Sequence, residues 1–306
     1  MLKLENIKKS FKEKVVLDGV SFSIDKGEVF GLIGANGAGK TTIMNIISGL
    51  LTYDSGSVKV NEKEVLSLND ACREIGYVID IPAMSEHLTS REYLDFLLSP
   101  QKLKAEEKRE KIENLLKKVG ISSAKVKIKN FSRGMKQRLG IAAGLVNNPN
   151  IILFDEPCSA LDPQGRAEVL AVINELKSEG KTIILSTHIL SDIEKVCDKV
   201  GFLHNGKIVI EGELNDILKR FKENIYRVEC KKADMLKIID ALNTNENFID
   251  FVAGENYLNI KFKEQGKKEI FKLIANVDVD IDSITLVTKS IEDIYLSASK
   301  GGEENV

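Results

Sequence analysis

The chain has 306 residues, 43% of them hydrophobic and 29% charged, with a formal net charge of -2. Neither the low hydrophobicity nor the high net charge of a disordered chain is present, and the length allows two domains or one large one. No sustained basic stripe runs through the sequence, so nucleic acid is not an expected partner.

The opening MLKLENIKKS lacks the apolar run of a secretory leader, and no later stretch approaches the roughly 18 consecutive apolar residues of a spanning helix. The chain is therefore not expected to cross a membrane by itself. Apolar runs LKLENI, VSFSI and VFGLI, punctuated by Asp18-Gly19 and Lys26-Gly27 turn signals, predict strands within residues 2–33. A helix follows over about 41–51, then an Asp54-Ser55-Gly56 turn and a strand SVKV.

Residues 89–146 change character, being charged and helical in period; Ile112, Leu115, Leu116 and Val119 recur at i, i+3, i+4 and i+7 before Gly120. Residues 150–221 return to strand and helix in alternation: NIILFD, a helix over 163–179, TIILST, a helix over 189–197, then GFLH and KIVIE joined by an Asn205-Gly206 hairpin turn. Such alternation predicts a mainly parallel sheet covered on both faces. Beyond 221 the order strand (225–230), helix (234–243), two strands around Gly254-Glu255-Asn256, helix (267–275) and strand (281–288) predicts a small α+β module of the split βαβ kind. Cys72, Cys158, Cys197 and Cys230 form no CxxC pair and have no metal-ligand spacing to the three histidines, which suits reduced thiols in a cytoplasmic setting.

Gly34-Ala35-Asn36-Gly37-Ala38-Gly39-Lys40-Thr41 fits G-x-x-x-x-G-K-[ST] and lies between an apolar strand and a helix, as the phosphate-binding loop requires. Glycines let the backbone curl until successive N–H groups face phosphate, and the helix directs its positive end at the same charge. Lys40 suits the β- and γ-phosphates of a nucleotide, Thr42 joins the nucleotide-binding set, and the Thr41 hydroxyl suits Mg2+. A glycine-rich turn that merely joins strand to helix is the competing reading, and the four fixed positions with both flanks argue against it.

Ile151-Ile152-Leu153-Phe154 predicts a buried strand that ends in Asp155-Glu156 and is stopped by Pro157. Carboxyl ends of strands are where open α/β sheets place ligands. Asp155 is suited to Mg2+ and its water shell, Glu156 to deprotonating an attacking water; a solvated strand end is the bland alternative.

From about residue 2 to 221 the chain resembles the ATP-binding subunits of ABC transporters. Phe131-Ser132-Arg133-Gly134-Met135-Lys136-Gln137-Arg138-Leu139 resembles the family's LSGGQ-x-Q-R-L signature. Ser132 is a plausible N-cap, with Met135, Leu139, Ala142 and Val146 as the buried stripe behind it. Arg133 and Met135 depart from the commonest spelling and resemble exporters of the bacitracin-resistance type. The resemblance implies ATP and Mg2+ as cofactors, with Ser132 and Gly134 gripping the γ-phosphate held by a second copy in a head-to-tail dimer. It also implies separate integral-membrane permease subunits that hold the chain at the inner face of the cell membrane.

By position, Phe11 matches the adenine-stacking aromatic, Ser159-Ala160-Leu161-Asp162 the D-loop, and His188 the switch histidine that contacts the γ-phosphate. Asp80 stands where most of the family has glutamine, as a metal or water ligand that adds negative charge. Glu86 and His87 read as surface, Cys158 as buried filler. Ser290-Ile291-Glu292-Asp293-Ile294-Tyr295 resembles the close of many exporter ATPases.

The expected architecture is thus an α/β P-loop NTPase core with a mainly parallel sheet, an antiparallel β subdomain and a helical insert (about 77–146) over residues 1–221, and a small C-terminal α+β domain over 222–306. The expected activity is Mg-ATP hydrolysis coupled to transport, with export favoured over import. A soluble ABC-type ATPase of DNA maintenance or translation would normally show two cassettes or a long coiled-coil insert. A non-hydrolysing regulator is disfavoured by Glu156 and His188.

Overall fold

The structure, a computed structural model, describes residues 1–71, 74–80, 83–122, 126–221, 224–263, 266–287 and 291–300. Cys72 and Ser290 lie outside the described residues. The chain divides into two compact units, one of residues 1–215 with 298–306 and one of residues 216–297.

The first unit begins with β1 (Leu2–Phe11), β2 (Lys14–Ile24), β3 (Val29–Ile33), α1 (Lys40–Ile47), β4 (Ser55–Val60), β5 (Lys63–Glu64), α2 (Leu68–Ala71) and β6 (Ile75–Val78). Three longer helices follow, α3 (Ser90–Leu98), α4 (Ala105–Lys118) and α5 (Arg133–Gly144). Then come β7 (Ile151–Asp155), α6 (Pro163–Ser178), β8 (Thr182–Thr187), α7 (Leu190–Val196), β9 (Lys199–His204) and β10 (Lys207–Glu213). Helix α8 (Leu214–Arg220) spans the division between the units.

One sheet is antiparallel, in the order β2-β1-β4-β5; the other runs β10-β9-β3-β8-β7-β6, parallel except for the edge strand β10. Every residue of β3, β7 and β8 is buried, as expected for parallel strands covered on both faces. The core joins the two sheets through α1, whose Ile43, Met44, Ile46 and Ile47 are at most 1% exposed. Each such side chain contributes about 1.5–3 kcal/mol by leaving water.

Asp18-Gly19, expected as a turn, lies inside β2. Ile7 pairs with Val20 but Lys8 pairs with Asp18, so Gly19, at φ 80°, is the extra residue of a bulge, and the chain reverses instead at Lys12 and Glu13. Ser55 and Gly56 likewise belong to β4. Tyr77 and Val78, placed at the start of the insert, pair with Leu153 and Phe154 as part of β6. The 89–146 stretch is helical as the sequence predicts, and Gly120 ends the second helix at φ 65°, with its N–H and that of Ile121 bonded back to Lys117 and Leu116 carbonyls.

The second unit contains β11 (Ile225–Cys230), α9 (Lys232–Leu242), β12 (Phe248–Ala253), β13 (Tyr257–Phe262), α10 (Gly266–Ala275), β14 (Ile281–Val287) and most of α11 (Ile291–Lys300), a helix not read from the sequence. Its antiparallel sheet has the order β12-β13-β11-β14, the split βαβ arrangement. Val228, Leu258 and Ile260 of the sheet and Ile238 and Ile270 of α9 and α10, all 0% exposed, make its separate core.

Candidate active site

Sheet order decides what meets what. Strands β3, β8, β7 and β6 are consecutive neighbours and point the same way, so the residues that leave their carboxyl ends emerge side by side. From β3 comes the Gly34–Thr41 loop, from β8 His188, from β7 Asp155 and Glu156, and from β6 Asp80.

The loop lies against its neighbours closely enough to require glycine. A Cβ on Gly34 would approach the Leu203 carbonyl to 2.7 Å, and one on Gly39, at φ 111°, would meet Leu17 Cδ2 at 2.7 Å. Gly37, at φ 81°, faces open space. Gly39 is followed directly by α1, whose first N–H groups have no partner within the helix. The Lys40 ammonium, 6% exposed, donates to the Gly34 carbonyl at 2.7 Å and stands 3.1 Å from Glu156 Oε1. That last contact is an ion pair by distance, without the alignment of a hydrogen bond.

Asp155 is 4% exposed; Oδ1 accepts from Ser186 Oγ at 2.5 Å and Oδ2 from the Tyr77 hydroxyl at 3.4 Å. Burial, and then the Asp155 charge, raises the Tyr77 phenol above its ordinary range, so it stays a donor. Glu156 has φ 49°, a left-handed conformation that costs a non-glycine residue about 1–2 kcal/mol. Its N–H is held by the Ser186 carbonyl and hydroxyl, both at 3.1 Å, and Oε2 lies 2.8 Å from His188 Nδ1. Ser186 and Tyr77 were not anticipated; a hydroxyl pair, Ser186-Thr187, closing the apolar TIILST run was the available signal for the first.

Lys40, Thr41, Thr42, Asn36, Gly37, Gly39, Asp80, Asp155, Glu156 and His188 line one cavity of about 410 Å³, with Ser159 and Val16. Gly34, Ala35 and Ala38 shape the loop without lining it. Phe11 is absent from the lining; it sits 47% exposed at the end of β1, with the Lys9 ammonium 5.5 Å from its ring centre.

Ser132 and Gly134 are not in this cavity. They line a second cleft of about 470 Å³ with Ala160, Leu161, Asp162 and Gly165. Ser132 caps α5 as expected, its Oγ accepting from the Met135 N–H at 3.2 Å. Met135 is only half-buried, so the expected stripe is corrected to Leu139, Ile141 and Ala142, flanked by buried Gln137 and by Val146 just past the helix. The D-loop touches both cavities, Ser159 the first and Ala160–Asp162 the second.

Among the described residues Asp80 Oδ1 has no hydrogen bond, and it stands 3.8 Å from an Arg133 guanidinium nitrogen. Glu86 and His87 are exposed, Glu86 pairing with Lys136 at 2.7 Å. Among the described residues no three His, Cys, Asp or Glu side chains are arranged to hold a metal by themselves. A cation bound between Thr41 and Asp155 therefore needs further oxygens from phosphate and water, which is the preference of Mg2+. The glycine cradle, the helix N-terminus and Lys40 fit a polyphosphate.

A family model described as ABC transporter matches residues 17–159, and one described as ATP-binding protein DrrA1-3-like, C-terminal domain, matches residues 212–299. The lantibiotic transport ATP-binding protein SrtF of Streptococcus pyogenes is 43% identical over 214 residues, covering 70% of this chain and 91% of that one. The chain belongs to the ABC transporter ATP-binding family. This ABC ATPase is also 30% identical to the bacitracin transport ATP-binding protein BcrA of Bacillus licheniformis, over 99% of this chain and 98% of that one. Among solved structures, the dimeric, post-hydrolysis ATP-binding cassette MJ0796 bound to ADP and Pi is similar at 29% identity and a TM-score of 0.64, covering 70% of this chain and 99% of that one. These likenesses support the P-loop core and the ATPase activity, and none favours a DNA-maintenance, translation or non-hydrolysing reading. Among the described residues no helix is long and apolar enough to cross a membrane.

Proposed function

We propose that this ABC ATPase energises an exporter of antibiotic-type cargo, binding Mg-ATP in the first cavity and hydrolysing it when a second copy closes over that cavity. The observation that carries the reading is the convergence of Lys40, Asp155, Glu156 and His188 on one cavity while Ser132 and Gly134 face another. One chain holds half of each composite site. The dimeric cassette supports the assembly, and the lantibiotic- and bacitracin-transport relatives support the class of cargo.

In this reading the loop N–H groups, Lys40 and Thr42 hold the nucleotide's phosphates, and Thr41, Asp155 and Asp80 would hold Mg2+ and its waters. Bound there, Mg2+ would neutralise charge on the phosphate oxygens. Glu156 takes a proton from water as the water oxygen bonds to the γ-phosphorus and the bond to the bridging oxygen breaks. His188 fixes the Glu156 carboxylate through an Nδ1–H, and its Nε2 donates toward the γ-phosphate only in the imidazolium form. Phe11 stacks on adenine. Residues 222–306 serve as a regulatory or interfacial domain, and permease subunits hold the pair at the inner face of the cell membrane.

The test is complementation: a deletion strain should regain export of its antibiotic, read as resistance, with the wild-type chain and not with Glu156→Gln. Equal resistance with both chains would overturn the reading.

A further inference from the structure

Asp192 is 1% exposed, and its Oδ1 accepts from Arg166 Nε at 2.6 Å. The same guanidinium donates to Ser191 Oγ at 2.6 Å. Asp192 Oδ2 is buried without a hydrogen bond among the described residues, and Cys158 is close enough to feel the same carboxylate. Buried ion pairs are poor devices for stability, because hydrophobic replacements of similar volume are often neutral or better; what they provide is a fixed geometry.

The elements joined here are those of the reaction. Arg166 sits in the first turn of α6, which is N-capped by Asp162 of the D-loop, Oδ1 accepting from the Gly165 N–H at 2.7 Å, while the Arg166 N–H donates to the Asp162 carbonyl at 2.9 Å. Asp192 sits in the first turn of α7, its N–H bonded to the Ile189 carbonyl at 3.1 Å, directly after His188. His188 in turn holds Glu156, and Cys158 follows Glu156 by two residues. Side-chain contacts Glu156–His188 and Asp192–Arg166, joined by the short covalent stretches 188–192 and 156–166, close a ring that includes the D-loop.

We propose that Asp192 is a positioning residue that, through Arg166, sets His188 and Glu156 relative to the D-loop, so that hydrolysis depends on where the D-loop lies. This rests on the functional reading above, which the wild-type rate tests separately. An aspartate four residues beyond His188 acts on the reaction only through that geometry. It predicts a loss in kcat without a loss in nucleotide affinity.

The experiment compares Asp192→Asn, Asp192→Glu and the charge-free pair Arg166→Met with Asp192→Leu, measuring ATPase kinetics, binding of a fluorescent ATP analogue and thermal unfolding. Expected is a kcat lowered about 10- to 100-fold in Asp192→Asn, the scale of an ångström-sized misplacement. The analogue should bind within about twofold of wild type, and Asp192→Glu should recover most of the rate. Because Asp192→Asn leaves Arg166 unpaired and can unfold the chain, the charge-free pair carries the same test in a protein expected to stay folded. A folded charge-free pair with wild-type kcat, or a kcat loss matched by an equal loss of analogue binding, overturns the proposal.

Discussion

His188 Nδ1 lies 2.8 Å from Glu156 Oε2, so the proposed switch histidine and the proposed base are already one unit within a single chain. His188→Ala removes that hold while leaving the phosphate loop intact. A turnover loss of about 100-fold or more is expected, with nucleotide affinity close to wild type, measured by phosphate release and equilibrium binding. A comparable loss of affinity would show that His188 serves binding instead.

Lys40→Ala removes the loop's ammonium. Charge-assisted hydrogen bonds are worth about 1.5–3 kcal/mol, so affinity for Mg-ATP should fall roughly 10- to 150-fold by calorimetry. Circular dichroism should stay unchanged, because the substitution removes side-chain bonds to the Gly34 and Ala35 carbonyls and leaves the backbone bonds of α1 in place.

Much of this site was legible because its chemistry is local. The phosphate loop is eight consecutive residues, and β7 is an apolar run ending in two acids. What stayed hidden depends on partners far along the chain. Gly19 reads as a turn until the Lys8–Asp18 register makes it a bulge, and the true reversal at Lys12-Glu13 has no glycine or proline to announce it. Arg166 and Asp192 are 26 residues apart on different helices, and only the fold joins them. Helix α11 was missed because the resemblance there covered too few residues to show a period.

Asp80→Asn tests the departure from the usual glutamine. As a ligand to Mg2+ or its water, Asp80 should shift the Mg2+ midpoint of ATPase activity to higher concentration when neutralised, while Arg133→Ala leaves it in place. Equal shifts in both variants would assign the effect to the Asp80–Arg133 pair at 3.8 Å.

Gly76 in β6 packs under the end of α5; a Cβ there would fall on the Gly144 carbonyl and the Pro149 ring. Gly76→Ala should destabilise the chain by about 1–3 kcal/mol, seen as a lower denaturation midpoint in urea. An unchanged midpoint would mean that α5 is free to shift off the sheet.

Burial, and next the Asp192 charge, pushes the Cys158 thiol up to about 12. At pH 8 roughly one such thiol in ten thousand is ionised, so Cys158 should resist alkylation in the native protein, as should Cys197, whose thiol burial raises further. Rapid native labelling of either, mapped by mass spectrometry, would contradict the buried placement.

In the proposed mechanism one chain holds two half-sites and needs a second copy to hydrolyse ATP. Its most direct test is size-exclusion chromatography with light scattering on Glu156→Gln, where the carboxamide cannot act as base but leaves Lys40, Thr41 and Asp155 in place. A dimer that forms with Mg-ATP and dissolves when nucleotide is removed is the predicted result; a protein that binds ATP yet stays monomeric at saturation would contradict it.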